Sequence, residues 1–162
     1  MLLDYTTYAD IRAALGVSEE ELDDATLGLD LHLTLLEDGL DQLSATLRSD
    51  WEALNAPDTQ TADELKFSAL FKLYCTYAVA FNLLDSAELF GFLKVADGRA
   101  STERVPGAYK TLRAGVTAMY QRVKARMLAA YLVVNPAAVV ATPATTSFLS
   151  SVGIAADPVT NV

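Results

Sequence analysis

One cysteine (Cys75) and one histidine (His32) are all the thiol and imidazole in this chain, which excludes a disulfide framework within it and any zinc site built from Cys and His alone. Basic residues are also scarce, 12 against 21 acidic, for a formal charge of −9. Affinity for phosphates comes mainly from a net-basic surface, so tight nucleic-acid binding is not expected. No apolar run approaches the ~20 residues of a membrane span. Met1 leads into Leu2, Leu3 and Asp4 without a basic or apolar leader region, so the expectation is no secretory signal and a reducing cytoplasm. There is no glycine-rich phosphate loop, nucleophile elbow or paired-carboxylate constellation, and Gly91, Gly98 and Gly107 do not match a nucleotide fingerprint. The residues therefore predict no enzyme, no cofactor and no metal site.

What is present is apolar: 52% of 162 residues are hydrophobic and 20% charged, too hydrophobic for a disordered chain and enough for one core with an appended arm. The charge is segregated. Residues 1–64 carry sixteen acidic side chains and two basic ones, Arg12 and Arg48, whereas residues 65–130 carry four acidic and ten basic, and residues 131–162 only Asp157. Two such segments pair within the fold or across a subunit boundary, and both alternatives stand at this level.

The local signals are helical. A short helix is predicted over about Thr7–Leu15, capped by Thr6 or Thr7, with Tyr8, Ile11 and Leu15 on one face and Gly16 as its stop. Ser18 with Glu21 forms a capping box, and the leucines from Leu22 to Leu54 recur at steps of three, four or seven, so a second helix is predicted to about Asn55. Gly28 and Gly39 each cost about 1 kcal/mol relative to Ala and mark places for a kink or break. The ladder reads as bundle core in preference to a coiled-coil seam. After the turn NAPDTQT, Thr61 and Glu64 form a second capping box that opens a helix to about Phe90, apolar over most of its circumference and so central and buried, with Tyr77 and Phe81 among its expected core residues. Asp97-Gly98 predicts a loop or small hairpin. Pro106 suits the first position of a last helix, which runs to about Val134 with Leu112, Val116, Met119, Val123 and Met127 on its inner face.

The fold class is thus all-α: about four helices, a short loop or hairpin before the last, a helical domain over residues 1–134 and an extended C-terminal arm over 135–162. Pro136, Pro143 and Pro158 interrupt helix in the arm, yet it is apolar and nearly uncharged, which marks a docking segment with Phe148, Leu149, Val152 and Ile154 as its anchors. Lys110, Arg113 and Lys124 lie close to one stripe of the last helix, with Arg122 and Arg126 beside it, and are the candidate subunit interface. His32, among leucines with Asp30, Glu37 and Asp38 nearby, reads as a helix-face residue and Cys75 as packing. The acidic run from Glu19 to Asp24 reads as N-terminal helix charge, since it lacks the spacing and glycine of a calcium loop.

Four pieces, YTTYADIRAALGVSEEELDDATL, LLDSAELFGF, VADGRASTERV and the alanine-rich last helix, together resemble a tailed-bacteriophage head-to-tail connector of the adaptor, or head-completion, class. The resemblance spans roughly residues 5–134, its most specific parts being YADIRAALGVSEEEL and DGRAST. It implies a small helical virion protein, made in the host cytoplasm, that forms a ring, usually of twelve copies, beneath the portal protein and offers a platform to the stopper or tail-completion protein. DNA would pass through the channel without sequence-specific binding, and no membrane is involved. In some members a C-terminal segment reaches into the portal; the length and low charge of the arm here depart from that pattern. An acidic channel wall would repel phosphates and let a duplex slide. The rival reading is a small acidic helical regulatory or DNA-mimicking protein that occupies a basic groove on a protein partner.

Overall fold

The computed structural model describes residues 1–55, 60–86, 94–97, 100–103 and 108–140, with side chains described over 1–55, 60–84 and 110–140. The architecture is all-α. In chain order the elements are α1 (Leu2–Tyr5), α2 (Tyr8–Leu15), α3 (Asp24–Leu27), α4 (Asp30–Leu43), α5 (Leu47–Asn55), α6 (Ala62–Ser86), strands β1 (Lys94–Asp97) and β2 (Ala100–Glu103), and α7 (Ala108–Val134). The two strands form an antiparallel hairpin whose register ends with Asp97 opposite Ala100, the expected feature ahead of the last helix.

The capping signals of α2 and α6 act as read. Thr7 Oγ1 accepts from the Asp10 N–H at 3.1 Å, and Gly16 closes α2 at φ 66°, a left-handed conformation open to glycine at no steric cost. At α6 the Glu64 carboxylate accepts from the Thr61 N–H at 2.6 Å, while Thr61 Oγ1 accepts from the Glu64 N–H at 3.3 Å.

The single helix expected from Ser18 to Asn55 is instead three. Ser18 and Glu21 close only one turn, with the Glu21 carboxylate accepting from the Ser18 N–H at 2.9 Å; Asp23 then caps α3 anew by accepting from the Thr26 N–H at 2.7 Å. Gly28 ends α3, and Leu29 is extended (φ −62°, ψ 133°). The second break falls at Ser44 (φ −163°, ψ 132°), whereas Gly39 stays inside α4. Four buried side chains, His32, Leu36, Leu40 and Leu43, hold that helix. Burying leucines at ~1.5–3 kcal/mol each outweighs the ~1 kcal/mol glycine penalty.

Helix α6 is the axis, packed by α1, α2, α4, α5 and α7. Residues Ala62–Leu84 are long and apolar enough to cross a membrane by length and composition, but 67% of that apolar window is buried inside the bundle, as in a core helix. Its fully buried aromatics are Phe67, Phe71 and Tyr74. Trp51 of α5 stacks on Phe71 at 4.6 Å, Tyr5 tilts against both, and Phe67 stacks on Tyr131 of α7 at 5.3 Å. Tyr77 and Phe81, expected at the core, are only half-buried, Phe81 lying flat on Tyr120 at 5.0 Å toward the α7 flank. The end of the expected α6 beyond Ser86, Pro106, expected at the first position of the last helix, and arm residues 141–162 lie outside the described residues.

Candidate interaction surfaces

Helix α7 is free of charge on two sides. Val116, Val123, Met127, Ala130 and Tyr131 are buried against the bundle, with Leu112 and Met119 half-buried beside them, so the expected inner face is the real one. The opposite, outward side is also uncharged: Ala114, Ala118, Gln121, Ala125 and Leu132 recur at steps of four, three, four and seven and are all exposed. At 3.6 residues per turn the cations flank this strip on both edges. Lys110, Arg113 and Lys124 occupy one edge, Lys110 and Arg113 exposed and Lys124 half-buried; Arg122 and Arg126, both exposed, occupy the other. The five cations are thus two rows with an uncharged strip between them, alanine-rich but including Gln121, and Arg122 and Arg126 are not beside the first stripe. Among the described residues Lys110, Arg122, Lys124 and Arg126 form no ion pair.

The acidic half keeps its charge outward because both of its arginines are engaged locally. Arg12, with only 12% of its side chain exposed, donates to the Leu22 carbonyl at 2.7 Å and pairs with Asp24, tying α2 to the α3 region. Arg48 pairs with Glu37 at 2.9 Å and reaches Asp41 at 4.0 Å, tying α5 to α4. Glu19, Glu20, Asp30 and Asp38 remain exposed. The outer side of α4, with Asp38, also carries Leu31, 59% exposed, and Leu35, 40% exposed, one turn apart, and Leu29 is exposed at the helix start.

Two concavities stand out among the described residues. A groove of about 450 Å³ between the first fifteen residues and α6 is lined by Leu3, Asp4, Asp10, Lys72, Leu73 and Tyr77 among others, and at its edge Thr6 and Thr76 share a 2.7 Å hydroxyl hydrogen bond. A recess of about 500 Å³ forms where the residues after α7 meet the α4–α5 connection. There the Asp50 carboxylate accepts from the Tyr131 hydroxyl at 2.5 Å and from Asn135 Nδ2 at 2.8 Å, and Thr46 Oγ1 lies 2.9 Å from the same hydroxyl. Those hydrogen bonds, the one from Tyr131 foremost, hold the Asp50 carboxyl below its ordinary pKa. Burial, and then the bond to that carboxylate, pushes the Tyr131 phenol up. The first arm residues therefore belong to the domain surface: Ala138 and Val140 pack against the core. The anchors expected farther along, Phe148, Leu149, Val152 and Ile154, lie outside the described residues.

His32 and Cys75 both sit inside. Burial raises the Cys75 thiol far above its ordinary pKa and leaves it protonated. His32 is 7% exposed, and its ring nitrogens have no hydrogen-bond partner among the described residues; burial is the main cause that lowers its pKa. Among the described residues no group of three His, Cys, Asp or Glu side chains is placed to hold a metal ion. The outward α4 leucines and the Asp50–Tyr131–Asn135 knot were not read from the sequence; the first has a signal there, Leu31 and Leu35 one helical turn apart beside Asp38, and the second has none. Comparison of the chain with protein-family models, curated proteins and solved structures finds no match in any of the three.

Proposed function

We propose that this chain is a structural virion protein, an adaptor of the head-to-tail connector that forms a ring under the portal and joins the DNA-filled head to the stopper or tail. The observation that carries the reading is the position of the two most specific pieces of the resemblance. YADIRAALG, the first part of YADIRAALGVSEEEL, is the capped helix α2 with its Gly16 stop, and DGRAST contributes Asp97 to β1 and Ala100, Ser101 and Thr102 to β2 ahead of α7, so the two pieces fall on distinct elements of an all-α fold. Opposite charge on different outward faces, basic on α7 and acidic from Glu19 to Asp38, suits a subunit that contacts neighbours on two sides. In this reading the arm, through Phe148, Leu149, Val152 and Ile154, docks on the portal, Lys110, Arg113 and Lys124 serve the subunit boundary, and acidic surface toward the channel lets DNA slide.

One observation favours the rival reading, a small regulatory or DNA-mimicking protein: residues 1–64 carry sixteen acidic side chains and only two basic ones, and Glu19, Glu20, Asp30 and Asp38 are exposed. Electron microscopy of assembled particles carrying a tagged chain separates the two. A symmetric ring of tagged copies between portal and tail is the expected result. A chain missing from virions but recovered on a basic protein partner overturns the adaptor assignment.

A further inference from the structure

We propose that copies of this chain associate head to tail, with the outer side of α4 in one copy seated on the outer side of α7 in the next. The α4 side offers a ridge, Leu31 and Leu35, with Asp38 one turn beyond. The α7 side offers what such a ridge requires, a low floor that includes Ala118 and Ala125, walled by cationic side chains along both edges. Large residues over small ones allow close approach of two helices, and the long stems of arginine walls cover apolar surface while their heads reach carboxylates. The occupant is a second copy because the chain itself carries the complementary face: exposed leucines beside the exposed acids Asp30 and Asp38 meet exposed alanines flanked by Lys110, Arg122, Lys124 and Arg126, which have no ion-pair partner among the described residues. Since the two faces differ, the contact is heterologous, and an open array keeps one free face of each kind, one at each end, until it closes. Closure into a ring rests on the adaptor reading; the pairing does not.

The experiment is sedimentation velocity on the full chain over a concentration series at low and high salt. Wild type should self-associate beyond a dimer, about tenfold or more weaker in high salt, because exposed charge pairs are screened. The double variant Leu31→Arg/Leu35→Arg and the double variant Ala118→Glu/Ala125→Glu, each checked for helicity by circular dichroism, should each be monomeric alone, and their equimolar mixture should stop at a dimer. An α4 variant that still dimerises through α7, a mixture that stays monomeric, or wild type that is monomeric near ~1 mM at low salt overturns the pairing. Should either variant lose helicity, the wild-type concentration and salt series decides alone. A chain that pairs this way yet is absent from virions overturns the adaptor reading only, and a chain found at the head–tail junction whose α4 variant still builds rings overturns the pairing only.

Discussion

The Tyr131 hydroxyl donates to the Asp50 carboxylate across 2.5 Å, joining residues 81 positions apart and fixing the end of α7 to the start of α5. Because Asn135 donates to the same carboxylate, the residues just after α7 are held to the domain by a charge-assisted pair of bonds. Tyr131→Phe removes one bond to a charged acceptor while keeping the stack on Phe67, and should cost about 1.5–3 kcal/mol in denaturant unfolding.

The same carboxylate sets an acid limit. Its folded-state pKa is depressed, so its contribution to stability is fully present above the unfolded value near ~3.9 and is lost as pH falls through the folded value. Asp50→Asn should therefore flatten the fall in stability below about pH 4, measured by urea unfolding across pH.

His32 gives a second, separable pH dependence, because it is the chain's sole histidine. Burial lowers its pKa, so the unfolded state binds the proton first. The stability of the neutral, buried ring is complete above the unfolded value near ~6.5 and declines as pH drops from there toward the folded value. His32→Phe should remove that slope between about pH 5 and 7 while leaving the lower, carboxylate-dependent slope in place.

Core substitutions should rank by depth on α6. Phe71→Ala, at a fully buried ring stacked on Trp51, should cost about 3–5 kcal/mol; Tyr77→Ala and Phe81→Ala, at half-buried positions, should cost less. Equal losses at all three, by denaturant unfolding, would remove α6 as the axis of the bundle.

Truncation locates where the domain ends. A chain stopped after Val140 keeps the Asn135–Asp50 bond and the packing of Ala138 and Val140, so it should fold with nearly wild-type stability. One stopped after Val134 loses these contacts and should be less stable by about 1–3 kcal/mol. In the adaptor reading the longer truncate folds but no longer attaches to capsids.

The sequence by itself determined the helical class, the capped start of α2 and its Gly16 stop, the Thr61–Glu64 opening of α6, the hairpin site and the inner face of α7. Each of these follows from local rules: a side chain that satisfies a free N–H, a residue free to take positive φ, an apolar period of 3.6. Where the leucine ladder breaks is set by packing between elements. Gly39 was as good a local candidate as Gly28, but the buried residues of α4 hold it helical, and the turn at Ser44 instead lets α5 lay Trp51 on Phe71. Nor does a helix that is apolar all round declare which of its aromatics lies deepest. Phe67, Phe71 and Tyr74 are fully buried and Tyr77 and Phe81 are not, because burial depends on which neighbours α6 meets at each turn. The bond from Tyr131 to Asp50 is the clearest case: it joins residues with no shared period or spacing, and only the folded bundle brings them within reach.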